Sequence, residues 1–295
     1  MGTTVNKIGL HSAYWSKNWA INHKECIKHA SGLGFDILEV QPVSLYEMTR
    51  GQRQDITKYA DDCGITLTYC VGFGESQNVA SEDTSVRKNG IAFGKAMVKL
   101  CAELGSDMLV GALYSYWPMT AFNEIMEDKR PYIDRAVDSV KEIIKVAEDV
   151  GVDYCMEPLN RFEQVLINTS AEGVEFCRRV GSPRAKLLLD TFHINIEENS
   201  FTEAILTAGS LTRHFHVGEN NRKAPGTGCL PWKEIAAALK KINYTGAIVM
   251  EPLTRMGGEV GRDIRIWRDI SNGADDAELD RIARNSLKFL RDLMS

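Results

Sequence analysis

Four side chains in the second half of the sequence form a metal-ligand inventory: Glu157, Asp190, His216 and Glu251. Two of them sit in identical tetrapeptides, Met156-Glu157-Pro158-Leu159 and Met250-Glu251-Pro252-Leu253, each closing a short apolar run. A carboxylate is costly to bury unpaired. The proline behind it withholds a ladder donor and biases the glutamate to extended geometry, so each run should stop as a strand with its carboxylate at the tip. One such glutamate is readily explained as strand punctuation, and a lone His216 as a satisfied core histidine. Three carboxylates and an imidazole at the ends of four successive apolar runs instead form a donor set for one borderline-hard divalent ion, Mn2+ first, with Co2+ or Mg2+ as alternatives. No basic residue stands at a neighbouring strand end, so their mutual repulsion would be severe without a cation.

The elements that would have to position these residues repeat along the chain. Apolar runs at 7–12, 35–40, 65–71, 107–113, 152–157, 185–190, 211–217 and 247–251 alternate with helical periodicities at 23–33, 52–63, 84–104, 132–150, 171–180, from about 201, 232–242 and 276–293. Gly105 and Gly151 follow two of these helices where a left-handed cap is wanted. Strand alternating with helix implies parallel pairing through right-handed crossovers. Eight such units predict an α/β fold, a closed (β/α)8 TIM barrel spanning residues 1–295 as one domain, whose strand ends share one mouth. A doubly wound open sheet is the alternative, weakened by the lack of a glycine-rich phosphate loop after the first strand.

Composition narrows the partners. The 295 residues are 44% hydrophobic and 25% charged with a net charge of -5, which gives no electrostatic reason to bind nucleic acid or an anionic membrane. The start, MGTTVNKIGL, has no apolar core of signal-peptide length and no later run reaches a spanning length, so a cytoplasmic protein is expected. Seven cysteines with no C-x-x-C pair are expected to be reduced and buried as small hydrophobes.

The segments Met156-Glu157-Pro158-Leu159-Asn160-Arg161-Phe162-Glu163, Leu189-Asp190-Thr191-Phe192-His193, His216-Val217-Gly218-Glu219-Asn220-Asn221-Arg222 and Met250-Glu251-Pro252-Leu253 closely resemble the ketose 3-epimerases. These are the D-tagatose and D-psicose (D-allulose) 3-epimerases of the xylose-isomerase-like barrels. The resemblance runs nearly end to end, from Tyr14-Trp15 through the stretch ending Tyr116-Trp117-Pro118 to Trp267-Arg268-Asp269-Ile270. It implies that Glu157, Asp190, His216 and Glu251 bind one divalent metal per subunit, with Glu157 and Glu251 doubling as acid and base. It further implies that Glu163, His193 and Arg222 grip a free ketose near O1, O2 and the carbonyl, with Trp117 also in the substrate site, in a homodimer or homotetramer. The implied reaction inverts C3 through a cis-enediolate, with one glutamate on each face of the planar intermediate.

The pattern departs from the family at His11 and Ser12, where its members carry aromatic residues, and at Leu253, a place often filled by phenylalanine. In the family these positions line the far end of the substrate, around O4 to O6, so the departures bear on which sugar fits. His11 reads equally as a partner for a sugar hydroxyl or as a surface histidine. Rival chemistries on such a barrel are a sugar isomerase, an inosose dehydratase, an AP endonuclease and a phosphorylated-ketose epimerase. An acidic chain with six histidines argues against the endonuclease. For the phosphorylated ketose, Arg222-Lys223 and Gly226-Thr227-Gly228 are the candidate phosphate contacts. A sugar-binding protein without catalysis is the remaining alternative.

Overall fold

The computed structural model describes residues 6–119 and 127–295. Eight strands, β1 (Ile8–His11), β2 (Ile37–Val40), β3 (Thr66–Tyr69), β4 (Met108–Gly111), β5 (Asp153–Met156), β6 (Ala185–Asp190), β7 (Thr212–Val217) and β8 (Ala247–Met250), pair in parallel in the order β3-β2-β1-β8-β7-β6-β5-β4. The two ends of this series meet at a parallel bridge between Cys70 and Val110, and the ring closes as a TIM barrel. The seam depends on a missing side chain. A Cβ on Gly111 would lie 2.4 Å from the Val71 carbonyl oxygen, and its φ of +122° is one that L residues rarely adopt.

Among the described residues eight longer helices surround the barrel: α1 (His23–Leu33), α2 (Arg50–Asp62), α3 (Thr84–Glu103), α4 (Arg130–Val150), α5 (Ser170–Val180), α6 (Phe201–Ala208), α7 (Trp232–Lys241) and α8 (Asp276–Met294). In α4 the buried residues Ala136, Val137, Val140, Ile143, Ile144 and Ala147 recur at three- and four-residue spacing and form the stripe laid on the sheet. Gly151 ends that helix in the left-handed conformation, as its position after the last periodic residue predicts. The expected element bounds agree with the observed ones to within two residues.

Alternation along each strand sorts the bore into layers. Ile37 packs with Ala247 and Val249, and Met108, Val110, Cys155 and Leu188 pack with Cys70, forming an apolar plug. Two residues further along the same strands the inward positions turn polar: Glu39 follows Ile37, Glu157 follows Cys155, Asp190 follows Leu188 and Glu251 follows Val249. The plug supports the chemistry from below. All seven cysteines are free; Cys101, Cys155 and Cys177 are buried as expected, whereas Cys26, Cys63 and Cys70 are half-buried and Cys229 is exposed. Among the described residues no helix is long and apolar enough to cross a membrane.

Candidate active site

The ends of β5, β6 and β7 bring Glu157, Asp190 and His216 together, each offering a ligand atom within 4.8 Å of the others. Asp190 has a divided role. Its Oδ1 caps the short helix Thr191–Glu197 by accepting the Phe192 N–H at 2.7 Å, which leaves Oδ2 toward the centre. Glu251 is not part of that three-residue cluster, because its Oε2 accepts from Arg222 Nη1 at 3.1 Å. It nevertheless stands 3.9 Å from His216 Nδ1, the same distance as Glu157 Oε1.

Two of these atoms are buried without any hydrogen-bond partner, Glu157 Oε1 and His216 Nδ1. Gaps of 3.9 Å between ligand atoms suit an ion bonded at about 2.0–2.2 Å to each. The donor set therefore fits a divalent cation on the Nδ1 side of His216. On the other side of that ring His216 Nε2 is taken by Glu39 Oε1 at 2.6 Å, a hydrogen-bond distance.

Charge accounts for the protonation states. Burial disfavours an imidazolium at His216, but Glu39, Glu251 and Glu157 outweigh it and push the group up to about 10. The metal-free site thus recruits a proton as its cation. Burial pushes the Glu157 carboxyl well above its ordinary range, with Asp190 and Glu251 adding to the rise and His216 and Arg222 opposing it. Burial also opposes ionisation of Glu39, yet His216 and His214 hold it well below the carboxylate range.

The mouth opens into a cavity lined by His11, Trp19, Cys70, Ala112, Trp117, Glu157, Leu159, Glu163, His193, Arg222, Glu251, Leu253 and Ile264 among others. Glu163 accepts from Trp117 Nε1 at 3.0 Å, Asn160 Nδ2 at 3.0 Å and Arg222 Nη2 at 2.8 Å. Burial works against its charge, and Arg222, His193 and these donors keep it below the ordinary carboxylate range. His193 Nδ1 accepts the Asn160 backbone N–H at 3.1 Å, so its proton sits on Nε2, 3.8 Å from Glu157 and Asp190. Burial lowers His193 and keeps it a neutral donor.

His11 is buried, not a surface residue. Its Nδ1 accepts from Ala13 N at 3.2 Å, leaving Nε2 as the donor, and burial lowers its pKa. Ser12 is buried in the turn Ser12–Tyr14 and does not line the cavity.

The repulsion expected from the strand ends alone is relieved by a residue from a loop. Arg222 joins Glu163 to Glu251 and stacks its guanidinium 4.0 Å from the Phe192 ring centroid. Its backbone is held at φ +64° by the turn after β7, where the buried Glu219 accepts from Gly226 N at 2.7 Å and Trp232 Nε1 at 2.8 Å. The phosphate contacts weighed from the sequence do not assemble. Lys223 and Thr227 line a separate cavity and the Gly226 N–H is taken by Glu219, so Arg222 is the sole cation lining the mouth among the described residues.

Sequence reasoning missed Glu39, His214, Thr68, Asn160 and Glu219. Glu39 carried a signal, a carboxylate at an inward position of an otherwise apolar strand. Glu219 and Asn160 lie in loops, whose hydrogen bonding has no period to read.

The chain matches the xylose isomerase-like TIM barrel family over residues 27–293. It is 48% identical over 285 residues to a D-psicose 3-epimerase of Ruminiclostridium cellulolyticum, covering 97% of each chain. To the D-psicose 3-epimerase of Agrobacterium fabrum it is 45% identical, covering 97% of this chain and 98% of that one. The crystal structure of the D-psicose 3-epimerase from Clostridium cellulolyticum H10 with D-tagatose superposes with a TM-score of 0.95 at 47% identity, covering 98% of this chain and 99% of that one.

Proposed function

The chain belongs to the ketose 3-epimerases of the xylose isomerase-like TIM barrels and is an isomerase, and we propose that it inverts C3 of free ketoses such as D-psicose, D-fructose and D-tagatose by metal-dependent two-glutamate proton transfer. The observation that carries the mechanism is the matched placement of Glu157 and Glu251, each 3.9 Å from the same histidine nitrogen and arriving from β5 and β8, the strands that flank β6 and β7 in the ring. A divalent ion held by Glu157, Asp190, His216 and Glu251 would supply Lewis-acid stabilisation of negative charge on the sugar oxygens when bound.

The protein groups divide the remaining work. Glu163, His193 and Arg222 present an acceptor, a neutral N–H and a guanidinium to the carbonyl end of the sugar. Glu251, paired with Arg222, takes the C3 proton, and the bonding pair moves into a C2–C3 double bond as charge builds on O2. Glu157, the group that burial favours in its protonated form, delivers a proton to the opposite face, and the carbonyl re-forms. One turnover leaves Glu251 protonated and Glu157 ionised, which is the starting state for the reverse epimerisation. Exchange with solvent resets it. His11, Trp19, Trp117, Leu253 and Ile264 wall the cavity, and His11 offers its Nε2–H to a hydroxyl at the far end of the sugar.

Incubation of the metal-loaded protein with D-fructose or D-psicose in D2O should place deuterium at C3 of both epimers. Glu157→Gln and Glu251→Gln should each lower that exchange by at least about 10²–10⁴-fold, the usual contribution of a positioned acid or base. Retained turnover in both variants would overturn the two-base assignment. No exchange with any ketose would favour a binding protein.

A further inference from the structure

Glu39 lies inside the barrel beneath His11 and Cys70, does not itself line the cavity and has no part in the mechanism above. It is fully buried, with Oε1 2.6 Å from His216 Nε2 and Oε2 accepting from Thr68 Oγ1 at 2.9 Å. His214 Nε2 also approaches Oε2 to 2.9 Å, although at an angle that makes no hydrogen bond. Burying a carboxylate at the centre of a barrel is costly, and an apolar side chain would complete the plug that Ile37 begins. The short contact to His216 is what the carboxylate provides. A carboxylate only accepts, so His216 Nε2 must donate, and in the neutral ring the lone pair must then sit on Nδ1, the atom that faces Glu157 and Glu251.

We propose that Glu39 is a positioning residue that acts through His216: by accepting its Nε2–H it fixes the tautomer and ring orientation and raises the basicity of Nδ1 toward a divalent cation. The inference rests on the metal reading above and extends it. Outer partners of this kind set metal affinity by about 10–100-fold. Thr68 anchors the second oxygen, so the carboxylate plane, and with it the imidazole plane, is held from both sides.

The test compares Glu39→Gln and Glu39→Leu with the wild type by titrating Mn2+ calorimetrically at fixed pH. Glu39→Gln is close to isosteric: its carbonyl still accepts from His216, and its amide faces Thr68, whose hydroxyl can accept. It should fold and should bind Mn2+ about tenfold more weakly, whereas Glu39→Leu should lose about a hundredfold. A second readout uses 15N-histidine-labelled, Mg2+-loaded protein. A downfield His216 Nε2–H resonance should be present in the wild type, move upfield in Glu39→Gln and disappear in Glu39→Leu. Mn2+ affinity within twofold of wild type in Glu39→Gln, with an unmoved resonance, would overturn the proposal even if Glu39→Leu does not fold. A wild type that binds no divalent ion would instead overturn the metal reading itself.

Discussion

Metal binding should expel protons, and the structure sets both the number and the sign. In the metal-free site burial opposes a charged His216, but Glu39, Glu251 and Glu157 push the imidazolium up to about 10. At pH 7 that is well below the midpoint, so the ring carries its proton in the metal-free site. A cation can take Nδ1 only after that proton has left. At least one proton is therefore released per ion, and the Mn2+ affinity should rise about tenfold, or about 1.4 kcal/mol, for each pH unit between 6.5 and 8.5. Glu157, raised by burial and its acidic neighbours, steepens the dependence wherever it too is protonated.

The same shifts govern stability. A group whose folded pKa is raised contributes most below its unfolded value and loses that contribution as pH climbs through the folded one. The metal-free protein should therefore lose stability from about pH 6.5 upward, while the gain on adding metal grows. Calorimetric titrations in two buffers of different ionisation enthalpy count the protons directly, and melting curves with and without Mn2+ follow the stability. Zero proton release, with an affinity flat from pH 6.5 to 8.5, would refute this account of the electrostatics.

Two further outcomes test the supports of the site. Replacing Arg222 with Met leaves Glu163 and Glu251 buried without their shared cation, and urea denaturation of the metal-free variant should show a loss of about 3–5 kcal/mol, the usual cost of breaking a buried pair. Gly111→Ala forces a Cβ against the Val71 carbonyl at a φ that favours glycine; equilibrium unfolding should report a loss of at least about 2 kcal/mol, and an unchanged midpoint would mean the β3–β4 seam tolerates an opening.

Much of the fold was legible because the barrel repeats one unit, so period-two and period-3.6 patterns confirm one another eight times. The strand-end residues were legible for the same reason: once β5 to β8 are placed, Glu157, Asp190, His216 and Glu251 must share a mouth. Groups that act from loops were legible only through resemblance. Arg222 owes its position to a left-handed backbone conformation and to the turn that Glu219 organises, neither of which has a periodic signature. The short helix Thr191–Glu197 escaped for a related reason. It begins directly on β6 with Asp190 as its cap, so no turn signal separates strand from helix, and His193 is carried into the site on its first turn.

The two Met-Glu-Pro-Leu segments are identical in sequence, and their local backbones perform the same task of ending a strand. Their glutamates diverge only through what the barrel places beside them. Glu251 meets Arg222 and keeps a partially exposed carboxylate at the cavity edge. Glu157 meets Asp190 and an unpartnered stretch of the mouth, leaving Oε1 buried with no donor while the Tyr114 hydroxyl ties down only its backbone carbonyl. A reaction that removes a proton on one face and returns it on the other needs two chemically similar groups in different protonation states. Here burial raises Glu157 while Arg222 pairs directly with Glu251, so Arg222 should govern the readiness of the pair as well as the grip on the sugar.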